Sequence, residues 1–335
     1  MFRRNLYYML KPFLPIRVRR AIRGMLARRK LARFRDVWPI DERAGRTPAG
    51  WPGWPDGKEF ALALSHDVEG TEGVANVRAL AELEMSLGFR SSFNFVPEGD
   101  YETRAELRAW LIEHGFEVGV HDLHHDGWLF SSRDAFRAKA RRINEHLRAW
   151  GATGFRAGFM LRNLDWFHDL DITYDASTFD TDPFEPQPDG AGTIFPFWVN
   201  RQSDAAERSA ATSDDHRIAS RDGYCELPYT LPQDSTLFLI LREPGIEIWQ
   251  KKLEWVAQKG GMALANIHPD YLCFTNRPRT GLTFPASHYA SFLRWIRANY
   301  EGRFWHARPA DVADYFCASR RVGEIIANEI STQSS

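Results

Sequence analysis

The chain has 335 residues, of which 44% are hydrophobic and 13% aromatic, ample material for a large core in one or two domains. Its three cysteines, Cys225, Cys273 and Cys317, include no close pair. This excludes a disulfide framework or a thiolate metal site and fits a reducing compartment. The net charge of −1 hides an asymmetry, because residues 1–35 hold twelve of the 43 Lys and Arg residues and no Asp or Glu.

The basic stretch of residues 1–35 contains no apolar run long enough for a signal-peptide core or a membrane span. From residue 16 onward it has the pattern of a basic helix, with apolar residues spaced among arginines. Such a helix can lie on an anionic membrane, pack against the body or an acidic partner, or bind nucleic acid through phosphates. We favour a cytoplasmic protein in peripheral contact with the anionic inner face of a membrane, and regard nucleic acid as the weakest alternative.

Residues 36–58 are dense in Pro, Gly and Trp, a composition that predicts an irregular linker. We therefore divide the chain into a basic arm with its linker (1–58), a folded body (59–316) and a C-terminal tail (317–335). Within the body, residues 178–223 are long, polar and aperiodic, and they predict an elaborated loop region.

Strand and helix patterns alternate through the body. Strands are predicted at residues 60–65, 91–96, 117–120, 154–159, 172–177, 224–231, 236–241 and 261–268. Between the third and fourth strands, Ser131 and Asp134 resemble a capping box that opens a helix reaching Trp150. About seven βα units predict an α/β protein with a mostly parallel sheet, either a barrel or a doubly wound sheet.

The polar residues distinguish these two architectures, because they follow several different predicted strands. They are His66, Asp67 and Glu69, then His121 and His125, Arg156, Asp175, and finally His268. Functional groups supplied by many strand ends are typical of barrels, whereas an open sheet concentrates them at one crevice. We therefore predict a distorted, incompletely regular (β/α)7–8 barrel.

His121 and His125 lie in the segment EVGVHDLHHDGW, four residues apart. One helical turn would place both imidazoles on the same side. Two neutral imidazoles and a carboxylate from elsewhere in the chain are a common ligand set for a catalytic divalent metal with one open position. The segment therefore predicts a metal site that needs a carboxylate from another strand.

Four segments stand in order along the chain: SHDVEG (65–70), HDLHH (121–125), FRAGF (155–159) and NIHPDY (266–271). Together they resemble the polysaccharide deacetylase family, the carbohydrate esterases built on the NodB homology domain, over residues 60–310. The resemblance implies a distorted, NodB-like (β/α) barrel and a metal-dependent deacetylase, with Zn²⁺ or a similar divalent ion as cofactor and an N-acetylated carbohydrate as substrate.

The resemblance also implies roles for individual residues. His121 and His125 would hold the metal, which would activate a water and polarise the acetamide carbonyl. Asp67 would accept the proton of the water and His268 would protonate the leaving amine. Arg156 would steady the carboxylate of Asp67.

The first motif departs from the usual family pattern of two adjacent aspartates, because Val68 stands where the second is expected and Glu69 follows. Glu69 is therefore our predicted carboxylate ligand, with ligation by Asp67 as the alternative. Ala157 and Gly158 stand where the family's arginine motif usually has proline, and Asp175 is a loose match for a residue that holds Arg156.

Three functions remain open from the sequence. The first is N-deacetylation of a sugar, and the second is hydrolysis of a non-sugar C–N bond, such as a cyclic or linear amide, by an enzyme of the same superfamily. The third is a catalytically inactive, membrane-associated binding module. We expect His66 to be structural and the aromatic residues Trp128 and Phe159 to pack in the core.

Overall fold

A computed structural model of the chain describes residues 25–27, 29–201, 222–275, 278–279 and 281–320. About half of the basic helix predicted from residue 16, namely residues 16–24 and 28, lies outside these ranges. Within them, no helix is both long and apolar enough to cross a bilayer. Residues 29–34 are helical, and the backbone then turns into the Pro/Gly/Trp-rich segment.

The centre of the fold is a curled sheet of short, mostly parallel strands. In chain order the strands are β1 (Phe60–Val68), β2 (Ser92–Phe95), β3 (Glu117–His121), β4 (Gly154–Arg156), β5 (Tyr174–Asp175), β6 (Phe197–Asn200), β7 (Gly223–Glu226), β8 (Met262–Ile267), β9 (Leu272–Cys273), β10 (Phe284–Pro285) and β11 (Phe304–His306). Nine of them share one sheet, while β9 and β10 pair with each other.

The strand order explains why the sheet curls into a barrel. β8 pairs with β1, and the order then runs β1-β2-β3-β4-β5-β7, with β6 antiparallel at the end and β11 beside the first residues of β1. Just past β7, the backbone N–H groups of Thr230 and Leu231 both donate to the carbonyl of Leu264 in β8, each at 3.1 Å. This contact joins the two sides of the sheet, and the predicted distorted (β/α) barrel is confirmed.

Helices cover the outside of the sheet: α1 (Thr71–Ser86), α2 (Ala105–Glu113), α3 (Arg133–Trp150), α4 (Glu247–Lys259) and α5 (Ala286–Tyr300). The helix predicted to reach Trp150 is α3, and its apolar stripe, including Phe136 and Leu147, is buried. Its N-cap is Ser132, whose hydroxyl accepts from the N–H of Ala135 at 3.1 Å. The predicted capping box at Ser131 and Asp134 is therefore one residue too early.

Four predicted strands differ from the structure, and two of them, at 154–159 and 224–231, are simply shorter, because they end at Arg156 and Glu226. The apolar run at 236–241 is a π-helix, Ser235–Leu241, whose first N–H donates to the side chain of Asp234 at 2.7 Å and whose Phe238 packs on Trp249. A short apolar run fits a buried helix as well as a strand, so periodicity could not separate them. The strand expected at 172–177 is only β5, because Ser177 turns back to donate two hydrogen bonds to Asp175.

The Pro/Gly/Trp-rich segment of residues 36–58 is irregular, with two short 3₁₀ turns, and it packs against the barrel. Trp38 and Trp54 are buried, and the indole N–H of Trp54 donates to the carbonyl of Gly260 at 2.8 Å. The carbonyl of Ala44 accepts from Ile194 at 3.1 Å. Residues 309–320 are helical and bury Val312 on the same side of the barrel.

Candidate metal centre and active site

The predicted site residues meet at one edge of the barrel because parallel strands present their carboxyl ends together. The register pairs Asp67 of β1 with Asn94 of β2, and His121 of β3 with Arg156 of β4. On the other side of β1, β8 runs in the same direction and ends next to His268. The edge therefore gathers residues that are about 200 positions apart in the chain.

Three side chains at this edge form a set suited to a divalent cation. The ligand atoms of Glu69, His121 and His125 all lie within 4.8 Å of one another. Oε1 of Glu69 is 3.2 Å from Nε2 of His125, and the two imidazole centroids are 4.9 Å apart. Two imidazoles and a carboxylate are the donors expected for a catalytic Zn²⁺ or a similar ion.

His121 has the hydrogen bonding of a metal ligand. Its Nδ1 is 3.1 Å from the carbonyl oxygen of Arg156, and because a carbonyl can only accept, Nδ1 carries the proton. Its Nε2 is buried and has no hydrogen-bond partner among the described residues. Burial lowers the pKa of His121, which favours the neutral form that ligation requires. A cation bound at Nε2 would satisfy this nitrogen, so the residues present fit the metal.

His125 reaches the same point by a different geometry from the one predicted. His121 ends a strand, and residues 122–127 form a tight loop in which Asp122 and His125 have φ values of 57° and 51°. The prediction of one helical turn is therefore wrong, although the two imidazoles do converge. Burial acts to lower the pKa of His125, but the hydrogen bond and charge of Glu69 outweigh it and raise the pKa.

Gly158 lies against the loop that carries His125, where a side chain would not fit. A Cβ at this position would lie 2.6 Å from Oδ2 of Asp122 and 2.9 Å from Cδ2 of His125. The following residue, Phe159, has φ 57° and stacks its ring on His125 with centroids 4.4 Å apart. The glycine thus allows the two loops that carry Arg156 and His125 to pack closely.

Asp67 is buried and held by amide donors on both oxygens. The side-chain amide of Asn94 donates to Oδ1 at 3.1 Å, and that of Asn266 donates to Oδ2 at 2.8 Å. Burial acts to raise the pKa of Asp67, but the charges of Arg156 and the site histidines hold it well below its usual value. Asp67 is therefore a fixed, ionised carboxylate outside the Glu69 cluster, an arrangement that favours the base role over ligation.

Arg156 lies beneath Asp67 and is fully buried. Its Nε is 3.5 Å from Oδ1 of Asp67, and its Nη2 donates to the hydroxyl of Ser65 at 3.0 Å. Asp175 is buried and hydrogen-bonded to Ser177 and to the side chain of Glu226, and the charge of Arg156 acts on it as well. Arg156 thus lies beside Asp67, as the motif predicted, whereas Asp175 influences Arg156 only less directly, through its charge.

His268 faces the cluster from the opposite side and has a carboxylate partner that sequence reasoning missed. Its Nδ1 is 2.7 Å from Oδ1 of Asp234, and its backbone N–H donates to Oδ2 at 2.8 Å. Burial acts to lower the pKa of His268, but Asp234 outweighs it and raises the pKa to about 10. The imidazole Nε2 is 3.8 Å from Oε1 of Glu69. The available signal for Asp234 was its position as an acidic residue shortly after the strand predicted at 224–231. The apolar run that follows Asp234 hid this signal, because it has the pattern of another strand.

Among the other residues singled out in the sequence, the expectation for His66 is confirmed and those for Trp128 and Phe159 are wrong. His66 is buried, with Nε2 2.9 Å from Oε1 of Glu84 and Nδ1 3.2 Å from the carbonyl of Ile267, as expected for a structural residue. Trp128 and Phe159 are 65% and 44% exposed, so the expectation that they pack in the core is wrong. Phe159 stacks on His125, and Trp128 directly follows the loop that carries His125.

The fold is shared with solved structures of a protein described as a polysaccharide deacetylase and of an allantoinase. A polysaccharide deacetylase from Mycobacterium smegmatis superposes with a TM-score of 0.59 at 17% identity, over 82% of this chain and 96% of that one. The allantoinase Puue superposes with a TM-score of 0.54 at 14% identity, over 84% and 98%. No family model matches the sequence, and no curated protein matches it. The chain therefore has the NodB-like polysaccharide deacetylase fold, as its four motifs predicted.

Proposed function

We propose that this protein is a metal-dependent amide hydrolase that removes the acetyl group from an N-acetylated sugar. One observation carries the proposal: Glu69, His121 and His125 converge, with the ionised Asp67 on one side and the Asp234–His268 pair on the other. Ligands, base and acid thus stand around one point, as hydrolysis of an amide requires.

Glu69, His121 and His125 would hold the cation, with Zn²⁺ or a similar divalent ion as the proposed species. When bound, the ion supplies Lewis-acid polarisation of the amide carbonyl and lowers the pKa of water at the site. Binding at this point also occupies Nε2 of His121, the buried nitrogen that lacks a hydrogen-bond partner.

The protein's own groups move the protons. Asp67 takes a proton from the attacking water through a carboxylate that Asn94 and Asn266 hold in place. The water oxygen forms the new bond to the acetyl carbon, and the C–N bond breaks. His268 delivers its Nε2 proton to the leaving nitrogen, while Asp234 fixes the opposite side of the ring. The products are acetate and the free amine of the sugar.

Metal analysis of the purified protein, combined with acetate release from N-acetylated oligosaccharides, tests this proposal. We expect about one divalent ion per chain and metal-dependent acetate release. Metal retained in the double variant His121→Ala/His125→Ala would reject the site. Asp67→Asn separates the two assignments of this residue, because a base variant keeps the metal and loses turnover, whereas a ligand variant loses both.

The second candidate is hydrolysis of a non-sugar C–N bond, which is favoured by the similarity to an allantoinase over 98% of that chain. Its test is the same assay with cyclic and linear amides added to the substrate panel. Metal-dependent turnover of such an amide without acetate release from any sugar would select this function. A wild-type protein that binds no metal and turns over no amide would instead support an inactive binding module that keeps the barrel and has lost the metal.

We further propose that residues 1–35 attach the protein peripherally to the anionic inner face of a membrane, because they combine twelve basic residues with no acidic one. Sedimentation with vesicles containing anionic lipid, with and without residues 1–35, tests this placement. Equal binding of both proteins would reject it.

A further inference from the structure

The NIHPDY segment supplies more to the site than the acid. Its first residue, Asn266, donates to Asp67, and its third is His268. Its last two residues, Asp270 and Tyr271, do not face the reacting point directly. Both make hydrogen bonds to Glu69 on the other motif.

Tyr271 distinguishes the two oxygens of the Glu69 carboxylate. Its hydroxyl donates to Oε2 at 2.7 Å. The other oxygen, Oε1, lies 3.2 Å from Nε2 of His125 and 3.8 Å from Nε2 of His268. The carboxylate thus turns one oxygen toward the histidines, and a phenol holds the other away from them.

Asp270 fixes the backbone on which Glu69 stands. Its Oδ2 accepts from the N–H of Glu69 at 2.9 Å, and its Oδ1 accepts from the N–H of Gly73 at 3.1 Å. These donors flank the start of α1, whose N-cap residue, Gly70, has no side chain to accept them. A Cβ on Gly73 would lie 2.1 Å from Oδ2 of Asp270, so the glycine is what permits this approach.

We propose that Asp270 and Tyr271 are positioning residues that make Glu69 a single-oxygen ligand of the metal, an inference that rests on the proposed metal site. β1 ends at Val68, so Glu69 stands on a loop and has three rotatable side-chain bonds. Without support, neither its backbone nor its carboxylate is fixed relative to His121 and His125. Asp270 holds the backbone of Glu69, and Tyr271 holds its carboxylate. This support allows a glutamate one residue further along the chain to replace the second aspartate of the family's first motif.

The variant Tyr271→Phe tests the side-chain contact. It removes the hydroxyl and keeps the ring, whose centroid is 5.0 Å from that of His268. We expect the dissociation constant for Zn²⁺, measured by competition with a chromogenic chelator, to rise about 10- to 100-fold, as on loss of a group that supports a metal ligand. Turnover lost at limiting Zn²⁺ should return when Zn²⁺ is saturating.

Tyr174→Phe is the matched control, because the hydroxyl of Tyr174 also donates to a buried carboxylate oxygen, Oε1 of Glu117, at 2.6 Å. That pair lies away from the metal ligands, so the control should lose stability and keep the wild-type Zn²⁺ affinity. Asp270→Asn, which presents an amide to one of two N–H donors, should weaken Zn²⁺ binding in the same direction as Tyr271→Phe.

The outcomes separate this inference from the proposed function. A wild-type protein that binds no divalent metal overturns both. A wild-type protein that binds Zn²⁺ through His121 and His125, with unchanged affinity in Tyr271→Phe and Asp270→Asn, overturns only the positioning role. Weakened affinity in both variants, with an unchanged Tyr174→Phe control, supports it.

Discussion

Two buried histidines at β1 and β3, each beside a carboxylate, differ in a way that separates a structural histidine from a candidate metal ligand. His66 points out of the barrel, and both of its ring nitrogens have partners, Glu84 and the carbonyl of Ile267. His121 points inward and has a partner only at Nδ1, which leaves Nε2 buried and unpaired among the described residues. Burial and a nearby acid are common to both. The buried ring nitrogen without a hydrogen-bond partner, Nε2 of His121, is the feature that indicates the candidate metal site.

The largest expected effect is on metal binding and activity, when His121 is replaced. His121→Ala removes a proposed ligand, and we expect loss of bound metal with a fall in kcat/KM of about 10³-fold or more, because the metal supplies several kcal/mol. Metal content and acetate release measure it. The melting temperature of the metal-free protein should change little, and a full complement of metal in this variant would contradict the assignment.

Replacing His66, the structural histidine, should lower the free energy of unfolding. His66→Ala leaves the carboxylate of Glu84 buried without its histidine partner, and removal of one member of a buried pair costs about 3–5 kcal/mol. Denaturant unfolding of the metal-free variant measures this loss. His66→Gln, which can still donate to Glu84, should recover much of it, and both variants should keep wild-type metal affinity per folded molecule.

Glu117 sharpens the comparison because this buried carboxylate has hydrogen bonds from Tyr174 and Ala310 but no histidine partner. Burial raises its pKa from 4.5 to about 7. The folded protein therefore binds this proton more tightly than the unfolded chain, so the contribution of Glu117 to stability is fully present below pH 4.5 and is lost as the pH rises to about 7. The shift corresponds to about 3 kcal/mol.

Glu117→Gln should remove this part of the decline, because an amide does not ionise and the Tyr174 hydroxyl can accept from it. Urea unfolding between pH 5 and pH 8, compared with the wild type, measures the difference. Parallel pH dependence in the two proteins would contradict the burial argument.

The smallest expected change in stability is at Trp128, which follows the loop that carries His125. Trp128 is 65% exposed, so Trp128→Ala should alter the free energy of unfolding by less than about 0.5 kcal/mol. If its ring supports a bound sugar, KM for an oligosaccharide should rise while kcat and metal affinity stay the same. Phe136→Ala, a truncation in the core beneath the same loop, is the contrasting control and should destabilise the protein by about 3–5 kcal/mol.

The sequence could predict the barrel because its signals are local. Apolar strands and amphipathic helices follow from periodicity, and the polar residues after successive strands indicate that the strand ends share one edge. Motif order then predicted Asp67, Glu69, His121, Arg156 and His268, which the structure brings to one point. The metal ligation and catalytic roles of these residues stay predictions.

The details that sequence reasoning missed depend on contacts between distant segments. Asp234 is recognised only through His268, 34 residues away, and the π-helix after it has the same composition as a buried strand. The loop that carries His125 depends on the absence of a side chain at Gly158. Neither relation leaves a periodic pattern, so neither could be predicted from one chain.

The backbone contact between Leu264 and the segment of Thr230 and Leu231 has a consequence for the order of folding. This contact joins the two sides of the sheet, and a few residues further along the two segments lie Asp234 and His268, which are hydrogen-bonded to each other. The proposed proton donor, His268 with Asp234, is therefore assembled only when this long-range contact forms. A folding intermediate that lacked this contact but had paired β1, β2 and β3 would hold the proposed ligands Glu69, His121 and His125, yet it would be without activity. Metal uptake should thus precede the recovery of turnover when the denatured protein refolds.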